Sequence, residues 1–179
     1  MIFFYDSFRS TEDAPATKRR PIGLHINSGF QKIPIGKEFH MNLPANKKIV
    51  TDFFNHLNER NMKEAFALLD DDLHWWILGN IPVSGDYDLK KISFGFKMIF
   101  RAFENFQFTL KEMTAEEDRV SVVAESLGIR KSTGKQYNNH YHFLFTLQEG
   151  KIRKVKEFFD TVHALWVESP EELETEVNL

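Results

Sequence analysis

The chain contains no cysteine among its 179 residues. Disulfides, thiolate nucleophiles and cysteine-ligated metals are therefore excluded. No run approaches the ~20 consecutive apolar residues that a membrane-spanning helix needs. Neither charge sign dominates: 23 basic residues face 26 acidic ones, for a net charge of −3. A basic footprint for nucleic acid or an anionic membrane is thus missing. There is no G-x-G-x-x-G and no P-loop, so no organic cofactor is implied. Met1–Tyr5 is apolar but very short, and the basic cluster Lys18-Arg19-Arg20 follows it, the reverse of a secretory signal. These features point to a soluble, cytoplasmic protein without nucleic-acid or membrane partners.

What is abundant is phenylalanine, at 18 residues in a chain that is 42% hydrophobic. That suffices for the core of one globular domain plus an extension. Residues 1–44 show no sustained period and are broken by Pro15, Pro21, Pro34 and Pro44, which reads as an N-terminal extension. Two explanations stand side by side: translation starts naturally at Met41, or the segment is a genuine tail that packs on a surface or partner. Residues 45–168 carry the domain pattern, and 169–179 form an acidic tail.

Within the domain, Ile49, Val50, Phe53, Phe54 and Leu57 form a helical stripe, and Met62, Ala65, Phe66 and Leu69 a shorter one, with Asn61 as its expected N-cap. Asp70-Asp71-Asp72 reads as a solvated turn, and Leu73–Leu78 as a strand. Gly79–Asp88 reads as a loop. Ile92, Phe96, Ile99, Phe100 and Phe103 fit a third helix. Strand alternation then covers Phe106–Leu110 and Val120–Leu127. The clearest signal is a hairpin: aromatic-rich Gln136–Leu147 and β-branched Lys151–Phe159, joined by Gln148-Glu149-Gly150. On its first strand Tyr137, Asn139, Tyr141, Phe143 and Phe145 share a face; on its second Val155, Glu157 and Phe159 do. Asp160 or Thr161 can cap a short last helix through Trp166. Helices on one side of an antiparallel sheet make an α+β domain.

The pattern Y-x-N-x-Y-x-F-x-F, then G-K-I, then E-F-F-D-T-x-H resembles the C-terminal strands of SnoaL-like proteins, within the ketosteroid-isomerase-like (nuclear transport factor 2-like) superfamily. The resemblance spans roughly Asn46 to Val167. It implies a curved sheet wrapped around about three helices into a cone with an internal pocket. It also implies a homodimer through the outer sheet face, where Phe158 and Leu144 are the candidates. Catalytic members of that superfamily keep a carboxylate in the pocket, and Glu157 corresponds to it. Epoxide-hydrolase members add an Arg and an Asp that fall here on Ala124 and Ser126, so that triad is broken.

The candidate site follows from this placement. Glu157 serves as acid/base, His74 as its partner on the first strand, and Tyr141 or Asn139 as donor to an oxyanion. Trp76, Phe96, Ser126, Phe143 and Phe159 are the ligand-lining candidates. The plain alternative is that Glu157 belongs to a satisfied buried network with no chemistry. His140 and His142 share a strand face but lack a nearby third ligand, so no metal site is expected. The expected function is binding of a small apolar molecule, with isomerase, cyclase or hydratase chemistry by proton transfer. The alternative is a non-catalytic ligand-binding or dimerisation domain.

Overall fold

The computed structural model describes residues 43–170. Residues 1–42 of the expected extension, including the expected translation start at Met41, and nearly all of the acidic tail lie outside them, while Leu43 and Pro44, counted with the extension, open the first helix. The elements run α1 (Leu43–Asn58), α2 (Met62–Ala67), β1 (Leu69–Ile77), β2 (Gly85–Tyr87), α3 (Leu89–Ala102), β3 (Phe103–Glu116), β4 (Arg119–Arg130), β5 (Gln136–Gln148), β6 (Lys151–Phe159) and α4 (Thr161–Glu168). The six strands form one curved, unclosed sheet in the order β2-β1-β6-β5-β4-β3. It is the expected α+β fold, with one refinement: β1 pairs with β6 in parallel, so the sheet is mixed.

Local chemistry sets the hairpins. Gln148 pairs with Lys151, leaving a two-residue loop in which Glu149 (φ 51°) and Gly150 (φ 76°) are both left-handed. Two such residues match the right-handed twist of the flanking strands. Near the other end of β4, Gly128 sits under the irregular start of β3. A methyl group there would come within 3.1 Å of the Phe106 ring and 3.2 Å of its Cα, so the backbones approach as closely as they do only because the side chain is absent.

Helix α1 lies against the sheet with Val50, Phe53, Phe54 and Leu57 fully or almost fully buried. Phe54 meets Phe108, Phe143 and Phe145 at 5.2–5.9 Å between ring centroids. Helix α3 adds Ile92 and Phe96, and its N-cap Asp88 accepts from the Lys91 N–H at 2.8 Å. Much of the phenylalanine among the described residues thus forms a packed aromatic layer between α1, α3 and the sheet.

Three local expectations are corrected. Asp70-Asp71-Asp72 is part of β1, not a turn, because Arg153 of β6 takes Asp70 at 2.9 Å and Asp72 at 3.2 Å and so gives the acidic run a neighbour in the sheet. Asn61 makes no capping bond to α2; its amide donates to Glu59 instead, at 2.8 Å. The segment read as a loop, Gly79–Asp88, contains the short strand β2, whose three residues pair with the end of β1.

Candidate active site

Strand direction decides which residues meet on the concave face. In the parallel pair, Trp75 stands beside Val155 and Ile77 beside Glu157. Leu73, Trp75 and Ile77 are buried, whereas His74 is exposed and Trp76 only half-buried. The inward set of β1 is therefore the odd-numbered one.

This corrects two expected site residues. His74 lies on the outer face, where its Nε2 meets Asp86 Oδ1 of β2 at 2.8 Å, and it cannot partner Glu157. Trp76 lies outside as well and packs on Phe158, with ring centroids 5.6 Å apart. The physical reason is the period of two along a strand: once Trp75 is fixed inward, its neighbours must point out. The more apolar alternate set, Leu73/Trp75/Ile77, carried that signal.

Trp75 is the partner that Glu157 has. Its indole N–H donates to Glu157 Oε2 at 2.7 Å. The indole is itself wedged between Phe53 (6.1 Å) and Phe96 (5.6 Å), with Phe143 and Phe145 at 6.3 Å. Glu157 as a residue keeps partial solvent exposure, but its carboxyl sits among these walls. Burial pushes the carboxyl pKa up from 4.5 to about 7, opposed in part by the Trp75 bond, which favours the ionised form. The same carboxylate helps to hold the Tyr87 hydroxyl protonated, after the larger effect of that hydroxyl's own burial.

The second half of the site is a chain of side-chain hydrogen bonds on β4 and β5. Ser126 Oγ donates to the Tyr141 hydroxyl at 3.3 Å, the Tyr141 and Tyr137 hydroxyls are 2.9 Å apart, and Asn139 Nδ2 donates to Tyr137 at 3.0 Å. All four residues are buried. Burial raises both tyrosine pKa values well above the ordinary phenol range, with the Glu157 charge a further contribution. Phe159 and Phe143 stack on Tyr141 at 5.7 Å and 5.2 Å respectively, while Phe96 and Phe143 border the Trp75 side.

Asn139 does not have the donor role expected of it. One of its amide hydrogens goes to Tyr137 and the other to the Asp160 carbonyl at 2.8 Å, while its Oδ1 accepts from the Asp160 N–H at 3.0 Å. Both hydrogens are engaged, so no donor remains for an oxyanion. Asp160 in turn caps α4 by accepting from the Val162 and His163 N–H groups. His163 stacks on Tyr137 at 5.4 Å, and its Nε2 accepts from the Asn138 N–H at 3.1 Å.

Sequence reasoning passed over Trp75 and Tyr137. Tyr137 shares the face of Asn139 and Tyr141, and that alternation alone brings it to the site. His140 and His142 lie on the outer face: His140 approaches Glu125 at 3.6 Å and His142 Nε2 meets Ser121 Oγ at 2.7 Å. Among the described residues, no group of three or more His, Cys, Asp or Glu side chains is placed to hold a metal ion.

The SnoaL-like domain model matches residues 50–155, more than half of the chain. The chain belongs to the SnoaL-like family. The matched stretch ends two residues before Glu157, so membership concerns the scaffold and leaves the acid/base candidate to be argued from geometry. Solved structures agree on the fold. An NTF2-like protein from Burkholderia thailandensis has a TM-score of 0.64 at 20% identity, over 70% of this chain and 98% of its own. A second NTF2-like protein, from Burkholderia xenovorans, gives 0.60 at 24% identity, over 70% and 96%. A proposed SnoaL-like polyketide cyclase from Jannaschia gives 0.63 at 15% identity, over 74% and 96%. No curated protein matches this SnoaL-like chain in sequence. Among its described residues, no helix is long and apolar enough to cross a membrane.

Proposed function

We propose that this SnoaL-like protein binds a small, largely apolar molecule against the concave face of its sheet and moves a proton on it. Glu157 is the acid/base, Trp75 holds one of its oxygens, and the Tyr141 hydroxyl donates to the oxygen on which charge develops. Phe96, Phe143 and Phe159 supply apolar walls, and Ser126 supports Tyr141. The observation that carries this reading is the Glu157 carboxyl, set among aromatic rings with one neutral donor and a pKa pushed up to about 7. A carboxyl there exchanges its proton near neutral pH, which a general base or acid requires. The reaction class is isomerisation, cyclisation or hydration, and the proposed cyclase assignment of the Jannaschia relative lies within it.

The test is a titration followed by a substitution. Carboxyl ¹³C NMR should give Glu157 a midpoint near 7. Glu157→Gln should then abolish turnover of a substrate found by screening, with its affinity little changed. A midpoint in the ordinary range near 4.5 overturns the proton-transfer reading.

A second reading concerns assembly and has its own observation. On the outer face of β4, Val123 and Leu127 are 40% and 50% exposed, an apolar pair flanking Glu125 on a strand face that also carries Ser121 and Ile129. It favours a homodimer through that face, with or without catalysis within. Phe158, expected at that interface, packs on the outer face against Trp76 and against His142 at 5.9 Å.

A further inference from the structure

Helix α3 shows two unlike sides. Ile92 and Phe96 are buried against the aromatic layer. On the opposite side Lys90, Phe94, Lys97 and Arg101 are spaced by four, three and four residues, which places them within an arc of about 60°. All four are exposed, and Phe94 in the middle keeps 46% of its surface. Lys91 is exposed beside them, and the helix contains no acidic residue. Elsewhere on the surface Lys48 pairs with Asp52, Lys111 with Glu125, Arg119 with Glu116 and Arg153 with Asp70. The four cations of α3 have no such carboxylate among the described residues; Lys97 lies only over the Phe66 ring, at 5.8 Å.

The fold brings a complementary segment to one end of this stripe. Arg130 donates to the carbonyl of Ala102, the last residue of α3, at 3.0 Å and to the Glu168 carboxylate at 2.8 Å. One guanidinium thus ties the end of α4 to the end of α3. Lys131, whose N–H donates to the same Ala102 carbonyl, adds a further cation there. Pro170 is the last described residue. Beyond it, Glu171, Glu172, Glu174 and Glu176 bring four carboxylates and no cation, interleaved with Leu173 and Val177. Residues 171–179 span about 30 Å when extended, whereas α3 is about 21 Å long. We propose that residues 171–179 run back along α3 and dock on its stripe, with the glutamates against Arg101, Lys97 and Lys90 and the aliphatic side chains at Phe94. In an extended chain Glu172, Glu174 and Glu176 share a face at intervals of about 7 Å, close to the rise of about 6 Å between Lys97 and Arg101. Each exposed ion pair contributes little by itself; anchorage beside Ala102 compensates by holding the tail at a high effective concentration.

A spin label on the full chain tests this. The chain has no cysteine, so Asn178→Cys gives a single attachment point for a nitroxide. Amide NMR signals in the Lys90–Phe94 half of α3 should broaden at low salt and recover in sodium chloride at 1 M, where the screening length falls to about 3 Å. The triple substitution Glu172→Lys, Glu174→Lys and Glu176→Lys should remove the broadening while the Glu157 titration stays unchanged. Broadening confined to the anchor beside Ala102 and Arg130, or centred on Lys154 and Lys156 of β6, overturns the proposal. So does broadening of α3 that survives the triple substitution. Mixing spin-labelled chains with unlabelled ¹⁵N chains should give no broadening; broadening of α3 there would assign the stripe to a second copy instead. Binding of the full chain to phosphatidylserine vesicles, lost on Lys90→Glu and Lys97→Glu, would assign it to an anionic lipid surface and likewise overturn the proposal.

Discussion

The indole N–H of Trp75 donates and cannot accept, so it meets only lone pairs on the Glu157 carboxyl, and it prefers the ionised form. Trp75→Phe keeps an aromatic ring in the wedge between Phe53 and Phe96 but removes that preference. Burial is then unopposed, and the Glu157 midpoint should rise above about 7 in carboxyl NMR titration; a fall would mean that the bond does not act on the charged form. The same carboxyl ties stability to pH, and the sign follows from the direction of its shift. The folded state holds the proton more tightly than the unfolded chain, from 4.5 up to about 7. This contribution is therefore fully present below the unfolded value and is lost as pH rises through the folded one. The whole effect is at most about 3 kcal/mol, and less in proportion to the water that reaches the carboxyl. Urea unfolding of the protein and of Glu157→Gln at pH 4 and pH 8 should show the difference between them move in favour of the variant at the higher pH. A constant difference would place the carboxyl in an ordinary environment.

Edge strands expose unpaired backbone groups, and β3 is the long edge of this sheet. Helix α1 and the turn after it cover that edge with side chains. Lys47 donates to the Met113 carbonyl at 2.9 Å, Asn58 bonds both the N–H and the carbonyl of Phe108 at 2.8 Å, and Arg60 donates to the Phe106 carbonyl. Asn58 treats Phe108 as Asn139 treats Asp160: one side-chain amide closes on both polar groups of one backbone residue. Asn58→Ala should leave two partly buried groups unpaired and cost about 1–3 kcal/mol in denaturant unfolding. It should also increase aggregation through the uncovered edge; an unchanged midpoint would mean that water replaces the amide without loss. The helix stripe of α1 and the hairpin of β5 and β6 were legible in the sequence, because burial writes a period into each. The edge cover was not, because Lys47, Asn58 and Arg60 read as ordinary surface residues until β3 is placed beside them. The inward face of β1 was misassigned: its alternation offers two sets, each with a tryptophan, and the more apolar Leu73/Trp75/Ile77 set, which the parallel pairing with β6 places inward, was passed over. Glu157 was legible because a carboxylate alternating with Val155 and Phe159 is out of place on an apolar face; the engagement of the Asn139 amide was not, because it depends on the Asp160 backbone reached across the fold.

At the scale of the whole molecule the sheet has two unlike faces. The concave one carries the aromatic layer against which α1 and α3 pack. The outer one carries Lys111, Glu125 and His140, with Lys111 bound to Glu125 at 3.0 Å, and beside them the exposed Val123 and Leu127. Two exposed aliphatic side chains four residues apart on one strand lie on the same face, and a second copy related by a two-fold axis would bring the same pair against them. Their burial would exclude water from the patch, while the charged residues around it would form a polar rim. Light scattering on a sizing column should then give twice the 21.0 kDa chain mass. The pair of substitutions Val123→Glu and Leu127→Glu should give the single chain mass, because four carboxylates cannot be desolvated against one another. Both side chains point away from the core, so the variant should keep its circular dichroism and its Glu157 titration. A single-chain mass for the unsubstituted protein would remove this face as an interface and leave the concave site unaffected.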